Sequence, residues 1–93
     1  MAAVPASGPA AGPFQGPETP EAQATRALYE RYGPQILSFC LNRLGNREEA
    51  EDALQSTFLN AFRGFNRGIT PEFESAWLYK IAHNVCLTRQ RSS

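Results

Sequence analysis

The amino-acid sequence predicts an all-α fold: a compact three-helix domain, its first helix kinked or split at Gly33-Pro34, with a disordered Pro/Ala/Gly-rich N-terminal tail. Three observations support this prediction. Apolar residues recur every three or four positions in three segments, which is the period of an amphipathic helix. Breaks at residues 45–46 and 64–71 separate those segments. No segment alternates apolar and polar residues as a half-buried strand does, so three helices around one core are expected.

The first twenty residues differ in composition from the rest of the chain. They contain five of the seven prolines, with alanine and glycine between them and no lysine or arginine. Val4 and Phe14 are the sizeable apolar side chains of this segment, too few to offset a chain entropy of about 1–2 kcal/mol per residue. We therefore expect a disordered tail over residues 1–20 and one helical domain over residues 21–93.

The first helix is predicted by a stripe of apolar residues four positions apart. Its members are Leu28, Tyr32, Ile36, Cys40 and Leu44. Proline lacks an N–H and clashes with the preceding turn, so we expect the helix to be kinked or split at Gly33-Pro34. Gly45 then provides the left-handed residue that ends it.

The second helix should begin after Asn46, whose side chain is placed to accept from the third helical N–H while Glu49 reaches back as a capping box. Its apolar residues recur at three and four positions with almost no exception. They are Ala50, Ala53, Leu54, Thr57, Phe58, Ala61, Phe62 and Phe65. This is the clearest helix of the chain.

The third helix should follow a loop over residues 64–71 that contains two glycines and a proline. Thr70 or Pro71 is expected to open it. Its core side comprises Trp77, Leu78, Ile81, Ala82, Val85 and Cys86. A tryptophan at the start of an amphipathic helix is usually core, so we interpret Trp77 as structural.

Composition excludes several classes of protein. The chain has 93 residues, 42% hydrophobic content and a formal net charge of zero, which suits one small domain and not a wholly basic protein. No apolar run approaches the ~18 residues of a membrane span, and the amino terminus lacks a secretory signal. We therefore expect a cytoplasmic protein with no membrane contact.

The reactive side chains give no support to an enzyme or a metalloprotein. Cys40, Cys86 and the single histidine, His83, fit no zinc-ligand spacing. The chain also lacks a glycine-rich phosphate loop and paired carboxylates for acid–base work. We expect no cofactor, no metal and no catalytic residue, and we interpret the two cysteines as buried small apolar residues.

The second helix leaves a polar face opposite its apolar stripe, with one large apolar residue in the middle. This face comprises Asp52, Gln55, Ser56, Leu59 and Arg63. A single exposed leucine usually needs no explanation. An apolar anchor rimmed by polar groups is also how a helix docks on a partner helix.

The third helix has the opposite charge, since residues 75–93 contain no acid. One face comprises Lys80, Asn84, Leu87 and Arg91, with Tyr79 and His83 beside it. The cations could simply complement a helix carboxyl end. Alternatively, Lys and Arg meet phosphates, Asn offers paired donor and acceptor groups to a base edge, and aromatic rings stack unpaired bases. Because the cations are few, this face cannot hold a long duplex tightly. We therefore expect a short single-stranded target.

Three segments, in this order, resemble region two of bacterial RNA polymerase sigma factors, specifically the extracytoplasmic-function group. They are residues 28–34 (LYERYGP), 50–59 (AEDALQSTFL) and 77–84 (WLYKIAHN), with Arg91 beyond. The similarity covers roughly two thirds of the chain. Three separate motifs in the right order make the resemblance specific.

The resemblance implies two partners. Core RNA polymerase would contact the second helix through the clamp helices of its largest subunit, at Glu51, Asp52, Gln55, Ser56 and Leu59. Promoter DNA, as the single-stranded non-template minus-ten element with a flipped base, would contact the third helix and the preceding loop, at Phe65, Asn66, Arg67, Lys80, His83, Asn84 and Arg91. An anti-sigma protein that covers either face is a further implied partner.

The chain departs from the family pattern at two positions. His83 stands where an arginine is common and Thr88 where an acid is common, so contact with the promoter is expected to differ in detail. Complete sigma factors also have a linker and a second, helix-turn-helix domain, and we expect this sequence to be an excised domain or a shortened protein. The alternative function is a helical protein–protein interaction module without DNA binding.

Overall fold

The computed structural model describes residues 19–92, and three helices account for most of them. α1 spans Pro20–Leu44, α2 spans Arg47–Asn66 and α3 spans Glu74–Ser92. No strand occurs within the described range, so the predicted all-α, three-helix fold is confirmed. The predicted tail, residues 1–20, lies outside the described residues except for its last two.

Those last two residues belong to the start of α1. The Thr19 hydroxyl accepts a hydrogen bond from the Ala22 N–H at 3.0 Å, as an N-cap does. Pro20 is the first helical residue, where its missing N–H leaves nothing unsatisfied and its fixed φ suits the helix. The helix therefore begins one residue earlier than the composition predicted.

α1 continues through Pro34 as one helix, so a split at Gly33-Pro34 does not occur. Pro34 is exposed and Gly33 is buried, which places the proline ring on the solvent side. A residue with a Cβ before proline is disfavoured in the helical region, and glycine avoids that clash. Leu28 and Ile36, buried on either side of the interruption, pack into the same core.

The junction between α1 and α2 follows the sequence prediction. Gly45 adopts a left-handed φ of 69° and its N–H bonds to the Leu41 carbonyl at 2.8 Å. Asn46 Oδ1 accepts from the Glu49 N–H at 3.0 Å, which confirms the cap. The Glu49 carboxylate was predicted to reach back to Asn46 as a capping box. It instead accepts two hydrogen bonds from Arg89 of α3.

α3 begins at Glu74, later than the predicted start at Thr70 or Pro71. Backbone hydrogen bonds extend the end of α2 into a turn, from Gly68 N–H to the Phe65 carbonyl and from Ile69 N–H to the Gly64 carbonyl, both at 3.0 Å. Gly68 has a φ of 88°, which interrupts helical geometry there. The turn lies within the predicted loop, and residues 70–73, where the new helix was expected to start, are not helical.

The core is formed by all three helices. Its buried apolar members are Leu28, Ile36 and Cys40 of α1, Ala50, Ala53, Leu54, Phe58 and Ala61 of α2, and Leu78, Ala82 and Cys86 of α3. Phe58 meets the Tyr29 ring edge to face, with centroids 5.1 Å apart. Burial, with Cys86 adjacent, raises the pKa of Cys40 to about 12. Its thiol is therefore neutral near pH 7 and packs as a small apolar group.

No helix in residues 19–92 is long and apolar enough to cross a membrane.

Candidate functional site

The predicted polymerase-contact residues lie together on the side of α2 that faces away from the core. Glu51, Asp52 and Gln55 are exposed, whereas Ser56 and Leu59 are half-buried. Buried alanine, leucine, threonine and phenylalanine residues fill the opposite side of the helix, so the 3.6-residue period fixes which side is presented. Because Leu59 is half-buried, this face offers a partner less apolar surface than a fully exposed leucine would.

Two of the acids on this face already have basic neighbours. Arg47 Nε lies 3.0 Å from Glu51 Oε2, one helical turn away, and both side chains are more than half exposed. Arg89 Nη2 lies 3.5 Å from Asp52 Oδ2, and the Asp52 side chain is 69% exposed. Exposed ion pairs of this kind typically contribute about 0–1 kcal/mol. Both carboxylates therefore stay accessible to a partner.

The predicted DNA-contact residues of α3 follow one another along that helix. Lys80, Asn84 and Arg91 are exposed, and His83 is half-buried beside them. Arg91 lies eleven positions after Lys80, which is about 16 Å along a helix. These side chains therefore form a strip and not one compact pocket.

A cation that the sequence analysis missed reaches this strip from α1. Arg43 Nη1 lies 3.1 Å from His83 Nδ1. A guanidinium has only N–H donors, so His83 Nδ1 is the acceptor in this contact. Gln90 donates to the Arg43 carbonyl at 3.0 Å, and the Arg43 guanidinium lies 4.7 Å from the Phe39 ring centroid. The sequence signal was a basic residue in the last turn of α1.

The other predicted DNA contacts lie at the end of α2 and in the loop after it. Asn66 and Arg67 are exposed, and the half-buried Phe65 ring is tilted against Trp77 with centroids 5.3 Å apart. The loop also presents Phe73, 71% exposed, and Ile69, 44% exposed. Sequence analysis did not single out these two, although large apolar residues in a Gly/Pro-containing loop were a usable signal.

α2 and α3 run antiparallel, which places the two predicted faces side by side. Arg89 of α3 meets Glu49 near the start of α2, and Trp77 of α3 lies against Gly64 near its end. Between these points a groove of about 290 Å³ separates the helices. It is lined by Ser56, Asn60, Asn84, Val85, Thr88 and Arg89. One polymerase candidate, Ser56, and one DNA candidate, Asn84, therefore share a groove.

The described residues contain no group of three or more His, Cys, Asp or Glu side chains placed to hold a metal ion. The polar groups of the two faces are amides, hydroxyls, carboxylates, guanidinium groups, the Lys80 ammonium and the His83 imidazole. Such an arrangement can bind charged and hydrogen-bonding macromolecular surfaces.

Comparison with known proteins identifies the kind of domain. Residues 28–93 match the family model described as Sigma-70 region 2. The chain is 32% identical over 79 residues to the ECF RNA polymerase sigma factor SigL of Mycobacterium tuberculosis, covering 84% of this chain and 45% of SigL. It is 37% identical over 64 residues to the ECF RNA polymerase sigma factor SigW of Bacillus subtilis, covering 69% of this chain and 34% of SigW.

A third relative, the ECF RNA polymerase sigma factor SigG of M. tuberculosis, is 34% identical over 59 residues, covering 63% of this chain and 16% of SigG. The chain thus spans less than half the length of each of these three curated relatives. No solved structure matches it significantly. The family match covers most of each of the three helices. Together with the ECF relatives, it shows that this chain belongs to the Sigma-70 region 2 family, of the ECF type.

Proposed function

We propose that this chain binds core RNA polymerase through α2 and recognises the opened minus-ten promoter element through α3 and the loop before it. One observation supports the proposal above all: an acidic face and a basic strip lie side by side on antiparallel helices of a sigma region-two domain. The relatives SigL and SigW are named as RNA polymerase sigma factors.

The α2 face suits a protein partner. Its exposed acids and amide precede the half-buried Leu59 on the same side of the helix, and polar groups beside an apolar residue are typical of protein interfaces. Exposed carboxylates also attract a basic partner over about 8–10 Å at moderate salt. We assign Glu51, Asp52, Gln55, Ser56 and Leu59 to the clamp helices of the largest polymerase subunit.

The α3 strip suits single-stranded DNA. Lys80 and Arg91 offer charge to phosphates, Asn84 offers a donor and an acceptor to a base edge, and the Phe65 ring offers a partly open face for stacking. His83 is bonded to Arg43, so it contributes to DNA contact together with that cation. Asn66 and Arg67, exposed at the end of α2, complete the proposed contact set.

The small charge of the strip determines how it works. Each phosphate contact contributes about one counterion of salt-dependent affinity, so a few cations give weak binding to DNA by the isolated domain. Flipping a base out of a stack costs a few kcal/mol. The strip therefore stabilises a promoter that is already open and acts while the domain is held on the polymerase, as a non-enzymatic initiation factor.

Capture by core RNA polymerase tests the proposal. Replacing Asp52 and Gln55 with alanine removes one carboxylate and one amide from the centre of the α2 face. We expect the Kd for core polymerase to rise about tenfold or more, as for residues at the centre of an interface. Binding is measured by fluorescence titration, and circular dichroism checks helicity.

The control is the matched double variant Glu30→Ala with Gln35→Ala. It removes one carboxylate and one amide from exposed positions of α1, and we expect capture within about twofold of the parent. Unchanged capture by the α2 variant would show that its polar face is solvated surface and would overturn the polymerase assignment.

A further inference from the structure

Arg89 connects α3 to the start of α2. Its Nε and Nη2 atoms donate to Glu49 Oε1 at 3.0 and 2.8 Å, and Nη2 also lies 3.5 Å from Asp52 Oδ2. The Arg89 side chain is 28% exposed, compared with 52% for Glu49 and 69% for Asp52. The cation is thus the covered member of the group, and the two carboxylates are its open members.

The geometry gives the three residues unequal roles. Two hydrogen bonds to a single oxygen of Glu49 fix the position of the guanidinium, and the side chain, 28% exposed, is restricted further by its surroundings. Asp52 makes the longer contact and keeps most of its surface. Glu49 therefore holds the cation at a fixed position, from which it attracts the Asp52 carboxylate.

We propose that Arg89 is a positioning residue of the α2 face: held by Glu49, it presets the Asp52 carboxylate for the polymerase. This inference rests on the proposed function. Ordering a free side chain opposes association, and a carboxylate that is already held loses less freedom on binding. Arg89 also attracts Asp52 in competition with a basic partner, but binding does not require Asp52 to leave Arg89, because Oδ2 makes this contact and 69% of the side chain stays exposed. The net effect on capture is then the gain from ordering.

A double-mutant cycle on capture by core polymerase tests the inference with the full chain. We expect Arg89→Ala to raise the Kd roughly three- to tenfold. Because Arg89 acts through Asp52, adding Arg89→Ala to Asp52→Ala should change the Kd by less than about twofold. Equal fold changes in the two backgrounds, or no change in either, would overturn the proposal.

Arg89→Lys separates positioning from general stabilisation. Lysine keeps the charge and a long stem, but an ammonium cannot reproduce the paired Nε and Nη2 bonds. We expect this variant to keep the parent melting temperature within a few degrees and still to lose capture about threefold or more. It also replaces Arg89→Ala in the cycle if the alanine variant fails to fold. Full capture by a folded Arg89→Lys would overturn the role.

The same measurements distinguish the positioning role from the polymerase assignment beneath it. If Asp52→Ala leaves capture unchanged, the polymerase assignment fails and the positioning role fails with it. If Asp52→Ala weakens capture but a folded Arg89 variant does not, only the positioning role fails. Binding of single-stranded DNA at saturating core polymerase should stay within about twofold for the Arg89 variants, and a larger loss would make Arg89 a DNA contact instead.

Discussion

Gly64 determines how closely the end of α2 approaches α3. A Cβ at this buried position would lie 3.0 Å from Trp77 Cζ2, 3.4 Å from Trp77 Cη2 and 3.5 Å from Ile69 Cδ1. The shortest of these contacts would require the Trp77 ring to move. Since the indole also lies against Phe65, the missing side chain helps to place an aromatic residue of the proposed DNA site.

Gly64→Ala should therefore destabilise the protein in spite of the better helix propensity of alanine. Alanine in a helix gains about 0.5–1 kcal/mol over glycine, whereas overpacking typically costs about 1–3 kcal/mol. We expect a net loss of about 1 kcal/mol in the free energy of unfolding, measured in urea. Trp77 is the single tryptophan of the chain, so its fluorescence reports the movement of the ring directly.

The control for this variant is Asn60→Ala, at an exposed position of the same helix. It should leave the tryptophan emission unchanged and alter stability by no more than about 0.5 kcal/mol. A Gly64→Ala protein that is more stable than the parent, with unaltered emission, would contradict the close approach of α2 to Trp77.

The sequence predicts the contacts of some residues but not those of others. The Asn46 cap and the Gly45 stop were predictable because they depend on neighbours three or four positions away. The contacts of Glu49 with Arg89 and of Arg43 with His83 join residues 40 positions apart, and they depend on how the helices pack. Local patterns do not contain that information, so the capping-box partner was wrongly predicted and Arg43 was missed.

Among the helices, α1 is unusual in keeping a proline in its interior. Pro34 cannot donate to the carbonyl of Glu30, and on the same side an apolar groove of about 380 Å³ opens between α1 and α2. It is lined by Tyr29, Glu30, Gly33, Pro34, Leu37 and Leu54. The continuity of α1 thus results from packing at either side and not from local propensity.

Pro34→Ala should stabilise the protein. It restores a backbone donor, and Pro34 is exposed, so no core contact is lost. Proline is about 3 kcal/mol less favourable than alanine in a helix interior, and part of that difference is offset by the greater freedom of the unfolded chain. We expect the free energy of unfolding to rise by about 2 kcal/mol, seen as a higher urea midpoint with an unchanged slope.

Gln35→Ala, at the next exposed position of α1, is the control and should change stability by at most about 0.5 kcal/mol. A Pro34→Ala protein of lower stability would mean that the proline-dependent shape of α1 is needed for its packing on α2. The apolar period predicted the existence of α1 correctly but could not show whether packing would override the proline.

For the whole molecule, the antiparallel arrangement of α2 and α3 determines how the two faces relate. The sequence assigned residues to each face, and the helical period kept those residues accessible. It did not show that Ser56 and Asn84 would line one groove, because crossing and direction of helices follow from the packed core. Polymerase contact and DNA contact are thus proposed on adjoining surfaces of one small bundle.

The most direct test of the proposed DNA role is retention of a randomised pool of single-stranded DNA by the complex of this protein with core RNA polymerase. Retained sequences are compared with those retained by core polymerase alone. The variants are Lys80→Ala with Asn84→Ala, and a matched control, Arg31→Ala with Gln35→Ala, that removes one cation and one amide from α1. Both proteins are tested at saturating core polymerase.

We expect the parent and the α1 control to enrich one short sequence motif, which the α3 variant no longer enriches although it still binds core polymerase. If the α3 variant loses this enrichment and the α1 control keeps it, the loss is explained by contacts of Lys80 and Asn84 with phosphate and base. Absence of any motif beyond that of core polymerase, or equal enrichment by the α3 variant, would contradict the DNA role and favour a module that binds protein only.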